Sequence, residues 1–118
     1  MLTLKTTTEY EFDIHDDAIV FRAVERVEGG AVASRTVILK DDGTIEKRSE
    51  TPNRVVRTKR LEFSPSDFQK IRKALEFFLN NEKNEKEKVW LVQGVLFWHA
   101  RFYFSWLLKY YRDYAPLE

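Results

Sequence analysis

Two-residue alternation opens the chain. In residues 9–14, apolar Tyr10, Phe12 and Ile14 alternate with acidic Glu9, Glu11 and Asp13, which predicts a strand with one buried and one wet face. His15-Asp16-Asp17 reads as a turn. A β-rich run follows over 18–28, with Val20, Arg22, Val24 and Arg26 on one face and Ile19, Phe21, Ala23 and Val27 on the other. Glu28-Gly29-Gly30-Ala31 supplies two residues that accept positive φ, as a tight hairpin requires, and 31–40 returns as a third strand. Asp41-Asp42-Gly43-Thr44 repeats the reversal before 45–48. Thr51-Pro52-Asn53 interrupts pairing because proline lacks an amide hydrogen. Alternation then resumes over 54–63, with Arg57 and Lys59 on the face opposite Thr58 and Arg60.

At residue 64 the period changes from two to three and four. Ser64 is an N-cap residue, Pro65 stands where no helical hydrogen bond is lost, and Asp67 meets the positive end of the helix dipole. Phe68, Ile71, Leu75, Phe78 and Leu79 then form one apolar stripe, and Asn80-Asn81 offers a left-handed exit. Residues 82–88 are a charged bridge, either a loop or the first turns of a second helix. Beyond it Trp90, Phe97, Phe104 and Tyr111 recur every seven residues, with Leu107 beside them, while Trp98, Phe102 and Trp106 lie off that stripe. Such a helix is apolar nearly all round, so it either completes the monomer core or meets a second subunit, and Gly94 marks a place for a kink. The expected fold is α+β: a twisted antiparallel sheet of four to five strands over 4–63, then two helices, 65–79 and about 87–112. All of it forms one domain, 1–118, as its length suits.

Composition narrows the chemistry. The chain has no cysteine, which excludes a disulfide framework, thiol nucleophiles and Cys-based zinc sites. No basic region followed by an apolar core and cleavage site opens the chain, so a cytoplasmic protein is expected. The apolar stretch 89–108 is long enough for a bilayer, but Gln93, His99 and Arg101 near its middle would be costly there, and no membrane partner is expected. Abundant charge with little glutamine and no cysteine resembles the proteins of heat-loving organisms.

The net charge of +1 conceals a local asymmetry. Residues 1–34 carry a net −4, residues 35–73 a net +5, and the remainder balances. A basic patch borne on strands and hairpins points to a polyanion. Its members are Arg22, Arg26, Arg35, Lys47, Arg48, Arg54, Arg57, Lys59 and Arg60, with Tyr10, Phe12 and Phe21 as aromatic rings on which bases could stack. The corresponding dimer surface would be Trp90, Phe97, Phe104, Leu107 and Tyr111. Asp13, His15, Asp16 and Asp17, with His99 as a distant base, are the one group from which a metal-dependent nuclease could be built. Such clusters are usually turns, and no His-x-x-x-His pair, phosphate loop or nucleophile elbow accompanies them.

The run Arg60-Leu61-Glu62-Phe63-Ser64-Pro65-Ser66-Asp67-Phe68-Gln69-Lys70-Ile71 resembles the strand-to-helix corner of single-stranded DNA-binding proteins of the transcriptional positive-cofactor-four and whirly type. The plan over about 18–79 is also similar to that of archaeal ThermoDBP-like proteins, with a sheet, a hydrophobic cleft with basic edges and C-terminal helices that pair subunits. The acidic first strand and aromatic tail depart from the cofactor pattern. The resemblance implies a dimer whose strand-borne Arg22, Arg26, Arg35, Arg57 and Lys59 contact the nucleic-acid backbone, with the 64–71 corner structural. The expectation is thus a non-enzymatic, sequence-tolerant binder of single-stranded DNA or RNA. No cofactor, metal or small-molecule substrate is expected, and a protein-interaction module working through the aromatic helix is the alternative.

Overall fold

The computed structural model describes residues 5–27, 32–50, 55–60, 63–81 and 83–116, without the side chains of residues 6, 27, 32, 55, 56, 59 and 60. The fold is α+β. Strands β1 (Thr6–Ile14), β2 (Ala18–Val27), β3 (Val32–Lys40), β4 (Thr44–Glu50) and β5 (Val55–Arg60) form an antiparallel meander in the order β1-β2-β3-β4-β5. Helices α1 (Pro65–Asn81), α2 (Glu85–Gln93) and α3 (Ala100–Tyr114) follow. The Gly29-Gly30 hairpin and the Thr51-Pro52-Asn53 break fall outside the described residues, though the strands flanking each pair as expected.

Register divides the side chains between two faces. Phe12 opposes Phe21, which opposes Val37, then Lys47, then Arg57. Alternation therefore puts Tyr10, Phe12, Ile14, Ile19, Phe21, Ala23, Val37, Leu39 and Ile45 on the face that carries the helices. Phe21, Leu39 and Ile45 join Phe68, Ile71, Leu75 and Phe78 of α1 and Phe104 and Leu107 of α3 in one buried core.

Two local devices set the helices on that face. At the start of α1 the Asp67 N–H donates to Ser64 Oγ (3.2 Å) while the Ser64 N–H donates to Asp67 Oδ2 (3.0 Å). This reciprocal cap satisfies two amides that the first turn leaves without helical partners. In the turn before β4, Gly43 adopts φ +86° and lies against the Phe63 backbone, which clamps that turn to the strand-to-helix corner. The expected left-handed exit at Asn80-Asn81 is not used, since no non-glycine residue among those described has positive φ. Instead the Asn81 Nδ2 donates to the Phe77 carbonyl (2.8 Å) and carries α1 to Asn81.

The second helical segment is not continuous. Asn84 caps α2, its Oδ1 accepting from the Lys86 N–H (2.9 Å), so the charged bridge ends in the helix's first turn. The chain then makes a π-helical turn over Gly94–Trp98 and breaks at His99, whose backbone is extended (φ −146°, ψ 93°). The His99 Nδ1 accepts from the Phe102 N–H (3.2 Å) and so caps α3. A Cβ at Gly94 would overlap the Tyr103 ring, so only glycine permits this close approach. The wide turn disrupts the expected seven-residue stripe. Phe104 and Leu107, expected at a subunit interface, are fully buried in the core of one chain, and Phe97 instead faces the sheet.

Candidate nucleic-acid interface

The helices do not cover their sheet face evenly. Near the His15–Asp17 and Asp41–Gly43 turns, Ile19, Leu39 and Ile45 are buried, whereas at the other end Thr8, Glu25 and Arg35 are exposed. A trough opens there between the strands and the π-helical turn. Its wider lobe, about 330 Å³, is lined by Arg35, Val37, Lys47, Ser49, Arg57 and Phe97 among others. A narrower lobe of about 150 Å³ shares Arg35, Ser49 and Phe97 with it and continues to Tyr10 and Glu25.

Lys47 and Arg57 are directly opposed on adjacent strands and on the same face. Like charges so placed repel and cost the sheet stability. Arg35 lies diagonally from Lys47, its guanidinium carbon 4.7 Å from the Phe97 ring centroid, within cation–π range. None of these three cations has an ion-pair partner among the described residues. Phe97 keeps 44% of its surface exposed despite the Arg35 contact.

The outer face of the sheet is electrostatically different. Arg22 lies 3.9 Å from Glu11, its cross-strand partner. Glu46 is nearly buried between Arg48, with which it pairs closely, and Lys40 Nζ at 3.2 Å. The hydrogen bond from Arg48, then that from Lys40, holds the Glu46 carboxyl below its ordinary range. Arg48 borders the trough, but its guanidinium is engaged on the outer side.

The basic residues expected to form one patch are therefore divided. Arg35, Lys47 and Arg57 belong to the helix-side trough, whereas Arg22, Arg26 and Arg48 belong to the outer face. Register pairs Lys59 with Ile45 and Arg60 with Thr44, away from the trough, while Arg54 lies outside the described residues. Among the expected stacking rings, Phe21 is fully buried and Phe12 packs edge-on against it at 5.4 Å, so Phe21 is core and presents no ring to a ligand. Tyr10 does border the trough, its hydroxyl accepting from Gln93 Nε2 (3.0 Å).

Phe97 is the ring that sequence reasoning placed elsewhere, on a subunit interface. Strand parity holds the signal for the trough: Arg35 shares its face with Val37 and Leu39, and Lys47 shares its face with Ile45. Of the remaining expected interface residues, Trp90 packs on Tyr103 and Trp106, and Tyr111 on Phe77. Asp16 is tied to Arg72 Nη2 at 3.0 Å, and no three His, Asp or Glu side chains among the described residues converge on a common point. No described helix is long and apolar enough to cross a membrane. No protein-family model, curated protein or solved structure matches the chain.

Proposed function

We propose that the protein binds single-stranded nucleic acid, in the first place DNA, with little sequence preference and without catalysing a reaction on it. The trough is the binding site. The observation that carries this reading is the group Arg35, Lys47 and Arg57, without an ion-pair partner among the described residues, beside a half-exposed Phe97. Phosphates bind cations that have no other partner, and a flexible single strand can present bases to a ring within a concave site. An anion between Lys47 and Arg57 would also relieve their mutual repulsion. The resemblance to sheet-and-helix single-strand binders with a basic-edged cleft supports the same reading.

Fluorescence polarisation against labelled single-stranded DNA, single-stranded RNA and duplex DNA tests it. Single strands should bind more tightly than duplex, with affinity falling by about 0.7 log units per log unit of salt for each phosphate neutralised. Absence of binding at low salt would end this reading.

A second reading is favoured by Trp98 and Phe102, which are 77% and 58% exposed beside the helix break. In that reading they contact a protein partner, a second copy of the chain included. Sedimentation decides the latter: a dimer has twice the 14.1 kDa of one chain, and Trp98→Ala with Phe102→Ala should return it to monomer.

A further inference from the structure

We propose that the narrower lobe of the trough is a slot for a single pyrimidine base, and that Glu25 makes the slot prefer cytosine to uracil. This rests on single-strand binding in the trough and specifies which base is held there. The floor is small: Ala23 and Ala33 line it, so the backbone lies close beneath. Tyr10 and Phe97 border it as flat rings, and the bond from Gln93 holds the Tyr10 hydroxyl in place. At about 150 Å³ the lobe is less than half the size of its neighbour, a volume suited to one planar ring.

Two opposite charges give the slot a chemical polarity. Arg35 opposes Ala23, and Glu25 opposes Ala33, so the two charged residues are diagonal neighbours on adjacent strands, a backbone spacing of roughly 7–8 Å. They nevertheless form no ion pair, and Glu25 has no other ion-pair partner among the described residues. The slot thus presents an acceptor from Glu25 and a donor from Arg35. Cytosine offers the complement, with an exocyclic amine that donates beside ring and carbonyl acceptors. Uracil has a carbonyl oxygen where cytosine has its amine, so in the same pose an acceptor would face the Glu25 carboxylate and the contact would be lost.

The test compares oligodeoxycytidine with oligodeoxyuridine of equal length, by polarisation at one fixed salt concentration. The two strands share backbone, charge and ring size. Wild-type protein should prefer the cytidine strand by about fivefold, the lower end of what one base contact supplies. Glu25→Gln, a conservative change at an exposed position, should bring the ratio close to one and leave the salt slope unchanged. Equal affinity of the wild type for both strands overturns the slot while leaving single-strand binding intact, and so does a preference that survives Glu25→Gln. Failure of both strands to bind at low salt overturns the slot and single-strand binding together.

Discussion

Gly43 illustrates how much one residue can hold in a meander sheet. It has positive φ, and a side chain there would collide with the Phe63 carbonyl oxygen. The turn around it is already braced. The Thr44 N–H donates to Asp42 Oδ1 (2.9 Å), and hydrogen bonding to Thr44 holds the Asp42 carboxyl below its ordinary value. Gly43→Ala should therefore cost about 1–3 kcal/mol for the backbone conformation alone, with the displaced Phe63 adding to that. Thermal unfolding checks it: the midpoint should fall by at least about 4 °C, and an unchanged midpoint would mean that the turn relaxes freely. The Asp-Gly pair made this turn legible in sequence because its chemistry lies within four residues. What the pair could not convey was the approach of Phe63, which lies twenty residues further along the chain.

The elements differ in legibility for the same reason. The Ser64-Pro65 corner was readable because its cap closes on itself, Ser64 bonding Asp67 in both directions. Loss of that cap in Ser64→Ala should cost about 1 kcal/mol. The bond from the Ser64 backbone N–H, then that from its hydroxyl, depresses the Asp67 pKa below 3.8. A carboxyl with a folded pKa below its unfolded one stabilises the fold fully above the unfolded value, and that contribution fades as pH falls through the folded value. Urea denaturation should accordingly show a constant deficit for Asp67→Asn between about pH 5 and 7. The deficit should narrow below about pH 4, and a pH-independent deficit would remove the charge from the cap's role. The π-helical turn lacked any such local signature. At it the Tyr103 ring, nine residues further on, is seated on Gly94, and a regular seven-residue pattern ran across it. The glycine was readable as a kink, but not the rotation that buries Phe104 and Leu107 while leaving Trp98 and Phe102 outside.

Across the whole molecule, the two faces of one sheet treat charge in opposite ways, although cations stand on both. On the outer face opposite charges meet across strands, Glu11 with Arg22, and Glu46 gathers Arg48 and Lys40. On the helix side like charges meet, Lys47 with Arg57. The first arrangement stabilises the free protein, whereas the second costs it stability and would be relieved by a bound anion. Paired double variants separate the faces. Lys47→Ala with Arg57→Ala should weaken single-strand binding by roughly tenfold or more and lower the salt slope by about 1.4, which is 0.7 for each of two phosphates. Stability should hold or rise, because a repulsion has been removed. Arg22→Ala with Arg26→Ala is the better outer-face control, since removing Arg48 would strip a partner from nearly buried Glu46. That control should leave affinity within about twofold, the scale of screened long-range attraction. If the outer-face pair abolishes binding and the trough pair does not, the ligand lies on the other side of the sheet, and both the trough and its base slot are lost together.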